Sequence, residues 1–178
     1  MKKILKKTVK RIKLPVKFKL KIYRDTRGYL FAYFAKYKKL SIGNLSYELF
    51  TFTKKKNIFR GLHFQKPQSA QDKLVILLSG STTHYVVNIN SNSDFGKVHT
   101  FKLKSGDALW VPIGYCHGYK TTSNQVIINY KLSKKYNKKK YGGIKPEIFN
   151  INPNPCMRSK QDANWKTSID KLKKVKWN

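Results

Sequence analysis

Arg60 and His63 occupy a run, FRGLHFQ (Phe59–Gln65), that is otherwise typical of a buried β-strand. The 178-residue chain has only four histidines and five arginines. Imidazole titrates near neutral pH and can take up or return a proton, whereas a guanidinium can pair two phosphate or carboxylate oxygens at once. Because arginine is rare in this lysine-rich chain, we expect Arg60 to do something that lysine cannot. The run predicts a site that combines proton transfer with anion binding.

A second segment, GDALWVPIGYCHGY, places another histidine after two bends. Its glycines, proline and histidine have the spacing of the second cupin motif: Gly106, Pro112, Gly114 and His117. A metal-binding cupin would also carry a His-x-His pair upstream, but Phe64 and Gln65 follow His63 here. Two histidines without further clear ligands do not make a tetrahedral or facial metal site. We therefore expect a cupin barrel that holds neither a metal nor another cofactor.

Several separated segments carry a closer resemblance. They are DTRGYLF, FRGLHFQ, QDKLV, WVPIGYCHGY and NYKLSKKY, in that order along the chain. In order and spacing they resemble the dTDP-4-dehydrorhamnose 3,5-epimerase family, over roughly residues 16–162. The resemblance implies a metal-free epimerase that acts on a nucleotide-linked 4-keto-6-deoxyhexose, and a homodimer in which an N-terminal strand pairs with the partner's sheet.

The resemblance also implies the catalytic residues. In this reaction a proton next to a ketone is removed, and the charge left behind spreads onto the ketone oxygen as an enolate. His63 resembles the family's base, and Tyr130 the acid that returns a proton from the opposite face. Lys73 matches the cation near the enolate oxygen. The S-x-x-D pattern of SKQD offers Asp162 as the carboxylate that orients His63.

The same resemblance implies how the substrate is bound. Arg27 and Arg60 match arginines that hold the diphosphate, where a planar guanidinium pairs two oxygens. Tyr136 matches the aromatic residue that stacks on the nucleotide base. His117 matches a pocket histidine that contacts the sugar or its oxygen.

Other expected contact positions depart from the family's pattern. Glu48 and Phe50 stand where the family has Gln-x-Asn on a strand, and we predict that they bind substrate. Ala32 and Tyr141 stand where the family has glutamates. His84 replaces an aspartate, and the sequence identifies no partner for it. The nucleotide base, the sugar and the number of inverted carbons stay open, with a 3-epimerase or a 3,4-ketoisomerase as alternatives.

The elements that must position these residues are short strands separated by turn residues. The strand-like runs are KFKLKIY, LSYELFTF, LVILL, THYVVNI, HTFKL and NQVIINYKL. In the tail, Trp165, Ile169 and Leu172 have helical spacing. The pattern predicts an all-β, cupin-type jelly-roll barrel with a short C-terminal helix. We expect one domain over residues 1–178, with a basic lead-in (1–15), the barrel (16–162) and a basic tail (163–178).

The spacing of Arg60 and His63 makes a structural prediction. Side chains alternate between the two faces of a strand, so residues three apart point to opposite faces. Both residues are expected in one pocket. We therefore predict a bulge or twist near Gly61, which has no side chain to obstruct it.

The net charge of +31 suggests a polyanion as an alternative partner. Most of the charge is lysine spread along the chain, as an AT-rich coding bias would produce, so we expect a solvated surface and no specific nucleic-acid binding. A non-catalytic basic cupin that binds polyanions is the competing interpretation. For the lead-in we favour a disordered or strand-forming segment over a membrane-surface helix. With no long apolar run and no disulfide framework, a cytoplasmic location is expected.

Overall fold

Twelve β-strands and two short α-helices make up the part of the chain that the computed structural model describes, residues 12–32 and 45–177. The strands are β1 (Val16–Lys19), β2 (Lys21–Asp25), β3 (Gly28–Ala32), β4 (Tyr47–Thr53), β5 (Phe59–Gln65), β6 (Lys73–Ser79), β7 (Ser81–Asn88), β8 (Val98–Lys104), β9 (Asp107–Val111), β10 (Tyr115–Thr121), β11 (Val126–Leu132) and β12 (Tyr141–Gly143). The helices are α1 (Lys160–Ala163) and α2 (Ile169–Lys173), and 3₁₀ turns cover Lys138–Lys140 and Pro146–Phe149.

Ten of these strands form two five-stranded antiparallel sheets. The first sheet has the order β1-β9-β6-β11-β4, and the second has the order β12-β5-β10-β7-β8. Strands β2 and β3 pair with each other as a separate hairpin. The prediction of an all-β barrel is confirmed.

Apolar side chains pack in the space between the two sheets. Val75, Leu109 and Ile128 from the first sheet meet Val86 and Tyr115 from the second sheet. Burying side chains of this size stabilises the barrel by roughly 1.5–3 kcal/mol each. The sandwich therefore provides a rigid frame for the polar residues that occupy the rest of the inner faces.

The C-terminal tail covers the outer face of the second sheet. Leu172 of α2 is 2% exposed and Trp177 is 8% exposed, and both join the cluster that contains Leu62 and Phe64. The indole of Trp177 also donates a hydrogen bond to the carbonyl oxygen of Ile89, at 2.8 Å. The predicted C-terminal helix is present, and it is preceded by the shorter α1.

The predicted bulge lies at Gly61. In the pairing of β5 with β10, His63 is opposite His117 and Arg60 is opposite Tyr119, so β5 has one more residue than its partner over this interval. Gly61 has φ +134°, and a Cβ there would lie 2.5 Å from the Cα of Gly118. A side chain at Gly61 would therefore push the two strands apart.

The N-terminal part differs from the prediction in one respect. The run KFKLKIY was expected to form one strand, but it divides at Leu20 into β1 and β2, which belong to different sheets. Leu20 is buried, and its amide donates to the Gly106 carbonyl oxygen at 2.8 Å, which turns the chain. Most of the predicted lead-in lies outside the described residues. Within those residues, no helix is long and apolar enough to cross a bilayer.

Candidate active site

A cavity of about 360 Å³ opens between the two sheets. His63 on β5 and His117 on β10 face it from the second sheet, and Lys73 on β6 and Tyr130 on β11 face it from the first. Arg60, Tyr119, Tyr136 and Tyr141 are among its other lining residues. The bulge at Gly61 is what brings Arg60 and His63 to the same cavity, because it removes the one-residue mismatch in their alternation.

His63 is held by the carboxylate that was predicted to orient it. Its Nε2 lies 2.6 Å from Oδ1 of Asp162, which also accepts the indole N–H of Trp165 at 3.3 Å. The second carboxylate oxygen accepts the amide of Gly61 at 3.3 Å. The side chain of Ser159 accepts the amide of Asp162 at 3.0 Å, which places the carboxylate in the first turn of α1. The predicted contact between His63 and Asp162 is therefore present.

The charge of Asp162 is stabilised by these donors. Burial by itself would raise the pKa of Asp162, but the hydrogen bonds from His63, Gly61 and Trp165 outweigh it and hold the pKa below the usual value near 3.8. An ionised Asp162 can only accept hydrogen bonds, so the Nε2 of His63 carries a proton that it donates. In the neutral form of the ring, the other nitrogen, Nδ1, then has the lone pair.

Two aromatic rings flank His63. Its ring centroid is 5.1 Å from that of Tyr141 and 6.2 Å from that of Trp165. Tyr141 also meets Tyr136 at 5.5 Å. Burial is the main cause that raises the pKa of Tyr141, followed by the charge of Asp162. These rings pack around the imidazole on the side of the cavity that β12 and the tail provide.

Lys73 is a cation whose buried surroundings disfavour its charged form. Burial lowers its pKa from 10.5 to about 8. At pH 7 about nine molecules in ten still carry the ammonium. An amine of this kind is positively charged at neutral pH and loses its charge as the pH rises through about 8.

Tyr130 lies on the wall opposite His63. Burial raises its pKa well above the ordinary value of 10, and the neighbouring Tyr119 raises it further, although Arg60 opposes the shift. Its ring meets that of His117 edge to face, with centroids 6.4 Å apart. The phenol is therefore protonated at neutral pH and able to give a proton.

His117 is paired with another histidine. Its Nε2 lies 2.8 Å from Nδ1 of His84, and Nε2 of His84 lies 2.8 Å from the hydroxyl of Thr82. His84 is completely buried and His117 is 4% exposed. No third histidine, cysteine or acidic residue joins them into a metal-ligand cluster in the described part of the chain.

Two of the residues predicted to bind the nucleotide line the cavity. Arg60 is exposed, and its Nε donates to the hydroxyl of Thr53 at 3.3 Å, which leaves the outer guanidinium nitrogens for a ligand. Tyr136 is 45% exposed at the cavity wall.

Arg27 is not part of this chain's cavity. It lies at the turn of the β2–β3 hairpin, its side chain is 89% exposed, and it pairs with Asp25 at 2.5 Å. The hairpin belongs to neither barrel sheet, so the predicted binding role of Arg27 stays a prediction that requires a second copy of the chain.

Glu48 and Phe50 do not line this chain's cavity, because side chains alternate along β4. Leu49 and Thr51 line the cavity, so their neighbours point to the other face. Glu48 pairs with Lys131 at 2.7 Å, and Phe50 is 63% exposed.

The comparison with known families agrees with this arrangement. The family model described as dTDP-4-dehydrorhamnose 3,5-epimerase matches residues 10–170. The chain belongs to this family. The dTDP-4-dehydrorhamnose 3,5-epimerase of Salmonella typhimurium is 32% identical over 133 residues, which cover 70% of this chain and 71% of that relative.

Solved structures of the epimerase family share the fold. The dTDP-4-dehydrorhamnose 3,5-epimerase of Elizabethkingia anophelis has a TM-score of 0.76 at 26% identity, and covers 90% of this chain and 94% of its own. A Legionella pneumophila 3,5-epimerase in complex with dTDP-4-keto-L-rhamnose also has a TM-score of 0.76, at 24% identity, over 86% of this chain and 88% of its own. The cupin-type jelly roll predicted for this epimerase-family chain is confirmed.

Sequence reasoning did not identify several contributors to the site. Tyr119 and Trp165 are aromatic residues in segments that the sequence pattern assigns to core or tail, and neither has a spacing that marks a ligand. His84 was noted but had no recognisable partner. The departure of His84 from the family's aspartate was the one signal that pointed to it.

Proposed function

We propose that this cavity inverts a nucleotide-linked 4-keto-6-deoxyhexose at C3 and C5, the two carbons that flank its ketone. The chain is a sugar-nucleotide epimerase, as its family and its relative from Salmonella typhimurium indicate, and dTDP is the nucleotide in their names. The observation that carries the proposal is the placement of the His63–Asp162 pair on one side of the cavity and Tyr130 on the facing sheet. Inversion requires proton removal on one face of the sugar and proton return on the other.

His63 is the base. Because Asp162 accepts the proton on Nε2, the lone pair on Nδ1 is available to take a proton from the carbon next to the ketone. The electrons of the broken C–H bond move to the ketone oxygen and form an enolate. The imidazolium that results is stabilised by the carboxylate of Asp162.

Lys73 stabilises the enolate. Its ammonium supplies a positive charge in a cavity that excludes much of the solvent, where such a charge is worth more than in water. Its pKa of about 8 leaves it charged at neutral pH.

Tyr130 returns the proton. Its phenol gives a proton to the carbon from the sheet opposite His63, so the new C–H bond forms on the other face of the ring. The tyrosinate and imidazolium then exchange protons with solvent and return to their starting states. The pKa of Tyr130, raised by burial, keeps the phenol protonated until the enolate carbon accepts its proton.

Arg60 and Tyr136 lie where the rest of the substrate would extend. The free guanidinium nitrogens of Arg60 can pair the diphosphate oxygens, and the half-exposed ring of Tyr136 can stack on the base. Such an enzyme would supply a deoxysugar nucleotide for a surface polysaccharide.

A second copy of the chain would provide a cavity that Arg27 could reach. β4 is an edge strand with Phe50 63% and Phe52 53% exposed, and the β2–β3 hairpin exposes Tyr29 and Leu30. An apolar edge of this kind invites pairing with another strand. We propose a homodimer in which the hairpin of one protomer carries Arg27 to its partner's cavity.

The reaction is tested by incubating the protein with dTDP-4-keto-6-deoxyglucose in heavy water. We expect deuterium at C3 and C5 together with inversion at both carbons. His63→Asn should lower the rates of deuterium uptake and inversion about 10³-fold. Tyr130→Phe should retain exchange and lose most of the inversion, because His63 can still remove and return a proton on its own face.

His99→Asn is the matched control, since His99 is a half-buried histidine outside the cavity lining. Exchange at neither carbon would overturn the proposal, and exchange at C3 alone would establish a 3-epimerase. Tight, salt-sensitive oligonucleotide binding without any exchange would favour the polyanion-binding alternative.

A further inference from the structure

His84 connects a histidine of the cavity to a buried hydroxyl on the second sheet. It lies on β7, beside β10, and is completely buried. Both of its ring nitrogens have a partner at 2.8 Å: Nδ1 meets Nε2 of His117, and Nε2 meets the hydroxyl of Thr82. Thr82 is 1% exposed. Three buried side chains thus form a hydrogen-bonded chain that ends at a histidine of the cavity.

The hydrogen-bonded series Thr82–His84–His117 carries no charge near neutral pH. Burial lowers the pKa of His84 to about 3. Burial also holds the pKa of His117 well below 6.5, and His84, Lys73 and His63 act in the same direction. The remaining ring beside His117 is that of Tyr130, a protonated phenol. Both imidazoles are therefore neutral, and each has one N–H and one lone pair.

The direction of the hydrogen bonds follows from Thr82. Within the described part of the chain, the hydroxyl of Thr82 has its hydrogen bond with His84. If the hydroxyl accepted a proton from His84, its own O–H would be left without an acceptor in a buried position, which costs about 1–3 kcal/mol. The hydroxyl therefore donates to Nε2 of His84. The proton of His84 then lies on Nδ1 and is donated to Nε2 of His117, so His117 must carry its own proton on Nδ1.

We propose that His84 is a positioning residue which fixes the proton of His117 on Nδ1, so that His117 presents a neutral N–H donor to the substrate. The chain Thr82–His84–His117 sets this tautomer before any ligand binds. The donor is directed at an acceptor oxygen of the sugar, its ketone or a hydroxyl. This last step rests on the proposed function, whereas the tautomer itself does not.

A carboxylate at position 84 would have the reverse effect. It can only accept, so it would require a proton on Nε2 of His117 and favour the charged imidazolium, which is protonated on both nitrogens. An imidazole at position 84 instead keeps His117 neutral beside the ammonium of Lys73. The identity of residue 84 thereby selects between a neutral donor and a second cation in the cavity.

The test is the ¹⁵N NMR spectrum of histidine-labelled protein without ligand, with the His117 signals assigned from His117→Asn. We expect a protonated Nδ1 and an unprotonated Nε2 at His117, unchanged between about pH 6 and 8. His84→Asn should keep this pattern, because the amide can still donate to His117. His84→Asp, which has nearly the same shape but can only accept, should bring a second proton to His117 at Nε2 and give imidazolium signals at pH 7.

Kinetics then test the link to the reaction. His84→Leu, which cannot hydrogen-bond, should lower kcat about tenfold with little change in KM, the effect of losing one ordinary hydrogen bond, and His84→Asn should recover most of it. A protonated Nε2 at His117 in the unaltered protein, or identical His117 spectra in the Asn and Asp variants, would overturn the proposal. If the spectra are as expected but no variant of the protein exchanges deuterium into the sugar, the proposed function fails and the tautomer assignment stands.

Discussion

His63 and His117 are opposite each other on adjacent strands, yet they have partners of opposite character. His63 donates Nε2–H to the carboxylate of Asp162, whereas Nε2 of His117 meets the imidazole of His84. In both rings the nitrogen left over is Nδ1. The partner decides whether that atom holds a lone pair, as in His63, or a proton, as we propose for His117. Two identical side chains in one cavity can therefore act as a base and as a hydrogen-bond donor.

The largest expected difference between the two histidines is in kcat. His63→Asn should lower kcat about 10³-fold, the usual contribution of a general base. His117→Asn should lower it only about tenfold, because an amide can still donate a hydrogen bond to the sugar. Steady-state rates of inversion measure both, with His99→Asn as the control. Equal losses would mean that His117 also carries a proton in the reaction and that the contrast is wrong.

The next prediction concerns the partner of His63. Asp162→Asn should lower kcat about 10²-fold, since an amide N–H facing Nε2 would move the proton of His63 to Nδ1 and remove the base's lone pair. KM should change little, because Asp162 lies behind the imidazole. Asp170→Asn, an exposed acid in α2, is the matched control. An Asp162→Asn variant with unaltered kcat would show that the tautomer of His63 is set elsewhere.

A third prediction uses the dependence of stability on pH. Because the pKa of His84 is about 3 in the folded chain and 6.5 ordinarily, the unfolded chain takes up a proton first as the pH falls below 6.5. The stability associated with neutral His84 is present in full above pH 6.5 and is lost progressively toward pH 3. Between pH 7 and 5, this loss is about 2 kcal/mol in the free energy of unfolding.

His84→Asn should remove that part of the acid sensitivity, whatever it does to stability at pH 7. Urea unfolding at pH 7 and pH 5 gives the two free energies for each protein. The same slope in the unaltered chain and in His84→Asn would contradict a neutral, buried His84.

The smallest effect on activity is expected from the titration of Lys73. The charge of Lys73 also helps to keep His117 neutral. Because the pKa of Lys73 is about 8, activity should fall about tenfold between its plateau and pH 9 as the ammonium loses its proton. Lys73→Arg should abolish this alkaline decline, since a guanidinium does not titrate there. The pH profile of kcat measures it, with Lys104→Arg on the surface as the control. A decline that persists in Lys73→Arg would assign it to another group.

Much of the frame could be predicted from local pattern. The strand-like runs correspond to β4, β6, β7, β8 and β11, and the odd spacing of Arg60 and His63 predicted the bulge at Gly61. The S-x-x-D pattern, which resembles that of the family, led to Asp162, and the structure places this residue in the first turn of the helix that Ser159 caps.

The sequence left open which face of a strand, or which copy of the chain, some residues belong to. Glu48 and Phe50 lie on β4 but on the face away from this chain's cavity, and Arg27 lies on a hairpin outside both sheets. The motif spacing that identified them carries no information about strand orientation or about contacts between protomers.

The sequence by itself determined the chemical groups of the site and the strands that carry them, because residue type and alternation are local properties. The tertiary structure decided what those groups do to one another. His63 and Asp162 are 99 residues apart, and His84 and His117 are 33 apart, so no local pattern states that they meet. A proton on a buried ring goes where a neighbour accepts it, and only the folded barrel brings that neighbour within 3 Å.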